Sequence, residues 1–149
     1  MKSVGIVDVT FGAGVTVIEP VNLYGCAIGS GSFIGPFVEI QKNVSIGKRC
    51  KVQSHAFICE LVEIGDDCFV GHGAVFVNDF FSTGRPAGGD RSLWGETKIG
   101  SGVLIGSNAT ILPVHIISGC VIGAGAVVTR DCEVRGIYAG NPARMLRAL

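Results

Sequence analysis

Ile28-Gly29-Ser30-Gly31-Ser32-Phe33-Ile34-Gly35-Pro36-Phe37-Val38-Glu39-Ile40-Gln41-Lys42-Asn43-Val44-Ser45-Ile46 places isoleucine at every sixth position. The beat continues through Val52, Ile58, Ile64, Val70 and Phe76 without a slip. Four places after each of these rungs, from Ile28 to Val70, stands Ser32, Val38, Val44, Cys50, Ala56, Val62, Cys68 or Ala74, all small or β-branched. An amphipathic helix repeats its apolar face every 3.6 residues and a half-buried strand every two, and neither period generates this pattern. A six-residue beat is the mark of a parallel β-helix. Three hexapeptides close a triangular coil of eighteen residues, with a short strand on each face and the next coil ~4.8 Å above. The rungs then point inward and stack on their equivalents. Glycine follows many of them, at Gly29, Gly35, Gly47, Gly65 and Gly71, and is expected to permit the bend near each corner.

The beat begins upstream at Phe11, Val17 and Leu23, and Ile28 then arrives one residue early, so that one corner is a residue short. Between Asn78 and Glu96 the beat disappears in a stretch that carries Gly84, Pro86, Gly88, Gly89, Asp90 and Trp94, which reads as a loop. A loop of this length inside a compact domain is uncommon unless it is functional or disordered, and its aromatics, Phe80, Phe81 and Trp94, favour an ordered lid. The beat resumes at Ile99, Ile105 and Ile111, slips at the turn with Pro113, and runs on through Ile116, Ile122 and Val128. The tail 130–149 leaves the pattern. The whole chain, 1–149, reads as one domain with the loop 78–96 inserted.

Hydrophobic residues make up 48% of the chain and aromatics 7%, so the core must come from Val, Ile, Leu and Ala. The 23 glycines suit many tight corners, and because they do not recur every third residue they exclude collagen. The formal net charge is +0 with no basic face, which argues against nucleic acid as a partner. Met1-Lys2-Ser3-Val4-Gly5 has no secretory-leader pattern, and no apolar run approaches the ~20 residues of a membrane span. The expectation is a cytoplasmic protein with no membrane partner. Of six cysteines, Cys50, Cys68 and Cys120 fall on the small position of the repeat, and Cys26 fits there too. Cys59 and Cys132 lie off it and are expected to be exposed thiols. No CxxC or Cys–His spacing is present, so no metal site is expected.

Residues one coil apart share a corner. Lys42, Glu60 and Asn78 each stand two places after a rung and eighteen apart, which predicts a vertical polar column at the mouth of the loop, with Asp79 beside it. Ser54 and His72 are also eighteen apart, at another corner, and His55 lies in the coil neighbouring His72. A polar column next to a long loop is a candidate site, whereas corners elsewhere are merely solvated.

The hexapeptides, together with Ile122-Gly123-Ala124-Gly125-Ala126-Val127-Val128-Thr129 and Tyr138-Ala139-Gly140-Asn141-Pro142-Ala143-Arg144, resemble the hexapeptide acyltransferase family. Glu19-Pro20, Ile40-Gln41-Lys42-Asn43, Gln53-Ser54-His55, Phe57-Ile58-Cys59-Glu60, Gly71-His72-Gly73 and Val77-Asn78-Asp79 are similar to nucleotide-sugar N-acetyltransferases of the UDP-2-acetamido-3-amino-2,3-dideoxyglucuronate N-acetyltransferase type. Antibiotic acetyltransferases of the same fold carry Asn-His at the start of the loop, whereas this chain has Asn78-Asp79, as the sugar enzymes do. The resemblance implies an all-β, single-domain, left-handed parallel β-helix of hexapeptide repeats with one long loop and a short C-terminal tail. It implies acetyl transfer from acetyl-coenzyme A to the amine of a UDP- or dTDP-linked amino-deoxysugar for surface-polysaccharide synthesis. It also implies a homotrimer with each site between two subunits. Some relatives carry a separate nucleotide-binding domain. Here the β-helix itself is expected to hold the sugar nucleotide.

On that reading Asn78 and Asp79 orient the amine, and Asp79 or His72 accepts its proton, unless the departing thiolate takes it and the enzyme supplies orientation alone. Glu60, His55, Lys42 and Arg85 are the candidates for holding the sugar nucleotide. Coenzyme A contacts are implied at Ser107, Ala109, Ala124 and Ala126, and expected at Arg130, Pro142 and Arg144 of the tail, arginine suiting phosphate by its geometry. Three other readings compete: an O-acetyltransferase, a metal hydratase of the γ-carbonic anhydrase kind drawing on His55, His72 and His115, and a non-enzymatic scaffold.

Overall fold

The computed structural model describes residues 3–149; Met1 and Lys2, which open the segment read as lacking a leader, lie outside them. The chain winds into a left-handed parallel β-helix whose strands stack into three sheets. The first sheet runs Ile6–Val7, Asn22–Tyr24, Glu39–Ile40, Phe57–Ile58, Val75–Phe76, Thr110–Ile111 and Val127–Val128. The second runs from Thr10–Phe11 to His115–Ile116, and the third from Thr16–Val17 to Arg144–Ala148. The only helical segment among the described residues is one 3₁₀ turn, Arg91–Leu93.

Register follows the beat. Ile28 pairs with Ile46 and Ile46 with Ile64, a full coil each. Phe11 pairs with Ile28, and Ile99 with Ile116, each one residue short of a coil. These are the two slips read at Ile28 and at Pro113. Ile64 pairs with Ile99 across the whole insertion, so the loop leaves the coil at Asn78 and returns without disturbing the stack. The rungs from Leu23 to Val128 are all buried, at 4% exposure or less. Full burial of such a side chain stabilises by roughly 1.5–3 kcal/mol, and the column repeats it coil after coil. In the first described coil Ile6 and Phe11 are both 41% exposed.

The structure corrects the reading of the glycines that follow the rungs. The residue with left-handed backbone stands three places after the rung, and it is often not glycine: Asn43, Arg49, His55, Leu61, Asp67 and Asn108 all have φ between 54° and 69°. The glycine next to the rung instead clears the coil above. A Cβ on Gly47 would lie 2.5 Å from the carbonyl carbon of Gly65, and one on Gly71 would lie 2.6 Å from the amide nitrogen of Ser107.

Two further expectations are overturned. All six cysteines are buried and unpaired, Cys59 and Cys132 included. Where the small position carries a hydroxyl or thiol it can satisfy a carbonyl of the next coil: Ser32 Oγ donates to Gly47 at 2.9 Å, Cys50 Sγ to Gly65 at 3.1 Å and Cys68 Sγ to Gly100 at 3.1 Å. The tail does not leave the pattern at Arg130. Cys132 bridges Ile116, and Gly136–Ala139 adds a parallel strand beside Val121–Ile122. Only Arg144–Ala148 turns back antiparallel.

Candidate active site

Glycine follows most rungs on the second and third sheets, the exceptions being Ile18, Gln53 and Ile117. On the first sheet the following position carries Tyr24, Gln41, Cys59, Val77, Leu112 and Thr129. Four of these, Gln41, Cys59, Val77 and Leu112, line one open groove of about 530 Å³, joined by Phe57, Asn78, Asp79, Phe80 and Phe81. The periodic sequence held this signal: the one corner column without glycine marks the face that carries a groove. Cys59 at its floor is pushed up to about 12, chiefly by burial, with a smaller push from Glu60, so its thiol stays protonated.

The predicted polar column stands at the edge of this groove. Lys42 Nζ lies 3.6 Å from Glu60 Oε1, and Asn78 Nδ2 donates to the Glu60 carbonyl at 3.2 Å. The Gln41 side-chain oxygen accepts the Glu60 amide at 3.3 Å. Glu60 is itself buried, and its second carboxylate oxygen accepts from Arg91, a residue the sequence reading did not single out. Arg91 sits in the aperiodic insertion, where phase says nothing. Its one local signal is Asp90, which accepts from the Ser92 amide at 3.0 Å and starts the 3₁₀ turn.

The loop is ordered around Asp79. Asp79 Oδ1 accepts from the Phe81 amide and Oδ2 from the Ala87 amide, both at 2.8 Å. Asp79 also bridges Trp94, and the Gly95 amide donates to the Asn78 carbonyl at 2.8 Å, so the two ends of the loop close on each other. Arg85 is exposed in the loop.

His72 is at a different corner. Ser54 Oγ lies 2.9 Å from its Nδ1, as the eighteen-residue spacing predicts. His55 stacks on Phe37, ring centroids 4.8 Å apart. The strand Val75–Phe76 separates this corner from Asn78, so one chain carries His55 and His72 on one edge of the first sheet and Asn78 and Asp79 on the other. His115 lies on the second sheet. Among the described residues no group of three His, Cys, Asp or Glu side chains is placed to hold a metal ion, and no helix is long and apolar enough to cross a membrane.

Of the residues expected at coenzyme A, Ser107 and Ala124 reach the surface. Ala109 and Ala126 point into the core. Their amides donate to Gly106 and Gly123, and their carbonyls accept from Val75 and Thr110, which leaves neither an uncommitted backbone donor. In the tail, Arg130 and Arg144 line a recess of about 140 Å³ with Tyr138 and Ala143, and Pro142 is exposed.

Known proteins share this architecture. The bacterial transferase hexapeptide (six repeats) model matches residues 25–60, and the hexapeptide repeat of succinyl-transferase matches 61–77 and 96–130, stepping over the loop. The chain belongs to the hexapeptide-repeat transferases. The bifunctional protein GlmU of Paramagnetospirillum magneticum is 34% identical over 92% of this chain. The chain spans only 24% to 33% of the length of the curated relatives it matches. Among solved structures, an AntD mutant from Bacillus cereus, an N-acyltransferase in complex with dTDP and coenzyme A, superposes with a TM-score of 0.82 at 22% identity, covering 93% of this chain and 83% of that one. A mutant perosamine N-acetyltransferase from Caulobacter crescentus, in complex with coenzyme A and GDP-perosamine, gives 0.68 at 20% identity over 92% and 56%. At these identities the likeness to both structures is one of fold.

Proposed function

We propose that the chain is an acetyl-coenzyme A-dependent N-acetyltransferase acting on the amino group of a nucleotide-linked amino-deoxysugar, in the cytoplasm, for surface-polysaccharide synthesis. The observation that carries the proposal is Asn78-Asp79, fixed at the mouth of an ordered loop and beside a groove, on a β-helix whose fold matches an N-acyltransferase solved with dTDP and coenzyme A.

The amine attacks the thioester carbonyl through its lone pair, the C–O double bond opens to an oxyanion, and collapse expels the coenzyme A thiolate. One proton leaves the new amide nitrogen. Asp79 has two acceptor sites engaged by loop amides and keeps the remaining lone pairs of a carboxylate for the amine. Asn78, oriented by the Glu60 carbonyl, positions the same group. In the tautomer whose Nδ1–H donates to Ser54 Oγ, His72 has a free lone pair on Nε2 and is the second candidate base. Because His72 and Asp79 lie on opposite edges of one sheet, they meet only across two copies. A homotrimer, in which this edge of one copy meets the other edge of the next, supplies that arrangement through closed symmetry. Coenzyme A then lies along the later coils at Ser107 and Ala124, with Arg130 and Arg144 near its phosphates and Pro142 beside them. Glu60, His55, Lys42 and Arg85 remain the candidates for the sugar nucleotide.

The test is thiol release from acetyl-coenzyme A against a panel of UDP- and dTDP-linked amino sugars and their hydroxyl counterparts. Turnover confined to one amino sugar supports the proposal and names the substrate. Turnover on the hydroxyl counterparts alone replaces it with O-acetyl transfer.

A further inference from the structure

Glu60 is the one buried carboxylate among the described residues, at 8% exposure, and it contacts Asn78, Gln41, Lys42 and Arg91. Its backbone carbonyl orients the Asn78 side chain, and its carboxylate binds Lys42 from the coil below and Arg91 from the loop. Arg91 reaches it from a 3₁₀ turn started by Asp90, and the guanidinium carbon sits 5.8 Å from the centre of the Trp94 ring. Trp94 in turn bridges Asp79. A closed circuit results: Asn78 to Glu60, Glu60 to Arg91, Arg91 to Trp94, Trp94 to Asp79. Without Arg91 the loop keeps its own internal bonds but loses its side-chain ion pair to the β-helix wall, and Glu60 keeps only the 3.6 Å contact to a half-exposed lysine. Arg91 is half exposed and Lys42 stays beside Glu60 when Arg91 is removed, so what is lost is the tie between loop and wall more than the stability of the coils.

We propose that Arg91 is a positioning residue: by latching the 78–96 loop to Glu60 it fixes Asp79 and Asn78 at the mouth of the groove. Lysine cannot fully replace it, because the guanidinium both faces a carboxylate and covers an aromatic ring in a way an ammonium does not. The catalytic consequence rests on the acetyltransferase reading, whereas the latch itself does not, and the experiment keeps the two apart.

The protein offers its own reporters. Trp94 is the single tryptophan of the chain, and the Phe81 and Ala87 amides are the two donors to Asp79. Arg91→Ala and Arg91→Lys are compared with the wild-type chain by Trp94 emission, by amide exchange at Phe81 and Ala87, and by kcat and KM for each substrate. In Arg91→Ala, Trp94 emission shifts to the red, the two amides exchange at least tenfold faster, and the unfolding midpoint stays close to wild type because the coils are untouched. kcat falls about tenfold while KM for acetyl-coenzyme A holds. Arg91→Lys recovers part of the exchange protection and part of kcat. Unchanged exchange at Phe81 and Ala87 in Arg91→Ala overturns the latch. Faster exchange with an unchanged kcat overturns the positioning role. A wild-type chain inactive on every amino sugar overturns the acetyltransferase reading instead, and emission and exchange still decide the latch.

Discussion

The β-helix body and the 78–96 loop are held by opposite kinds of contact. In the body each coil repeats the one below it: Ile40 stacks under Ile58, and the Gly47 amide reaches the Ile64 carbonyl at 2.8 Å. Every contact has a near copy one coil away, and stability accumulates as a sum over neighbours. The loop has no such copies. It stands on single polar contacts, Glu60 with Arg91, Asp79 with two amides, and Gly95 with Asn78, each made once. The body therefore sets whether the chain folds, and the loop sets where a few side chains point. Substitutions in the two regions are expected to move different observables.

The largest effect belongs to the body. Ile58→Ala removes a fully buried rung and leaves a void between coils, costing about 2–5 kcal/mol. Denaturant unfolding reads it directly. A loss below about 1 kcal/mol would mean that the stacked column is not what holds the coils together. Next comes the loop. Asp79→Asn is expected to lower kcat by about a hundredfold, in the range of a lost general base, while the unfolding midpoint barely moves. Unchanged kcat would leave proton removal to His72 or to the departing thiolate. Gly47→Ala returns to the body: its Cβ meets backbone that cannot yield, and the expected destabilisation is about 1–3 kcal/mol with no change in KM.

The same contrast explains what could be read from sequence. A period constrains every position that shares its phase, so the rungs, the short coil at Ile28, the slip at Pro113 and the Lys42–Glu60–Asn78 and Ser54–His72 columns were all legible. Phase gives position but not the cause of a residue. The glycines after the rungs occupy the predicted places for a different reason, the close approach of the next coil. Cys132 stands four places after the rung Val128, on the small position itself, and escaped because the pattern reads as ending at Arg130; Cys59 escaped because the position after the rung is a groove floor on this sheet. Arg91 escaped because an aperiodic loop offers no frame at all. His72 and Asn78 were both singled out, but a list of candidate residues hides that a strand lies between them.

The smallest effect probes the edge of the body, where polar ladders climb the corners. Arg49 makes a two-pronged contact with Asp67, Nε to Oδ1 at 2.7 Å and Nη2 to Oδ2 at 2.8 Å, and both side chains are more than half exposed. The hydrogen bond and charge of Arg49 hold the Asp67 carboxyl below its ordinary 3.8. A depressed carboxyl favours the charged form in the folded chain, so its contribution is present above the ordinary value and disappears as pH falls through the lowered one. Asp67→Asn should therefore lower the melting temperature only slightly at neutral pH. The difference from wild type should shrink in high salt and vanish well below pH 3.8. Melting curves of both chains across pH and salt measure this. A large drop that persisted in salt would show that corner ion pairs, and not the apolar column, hold one coil on the next, and the division between body and loop would then have to be redrawn.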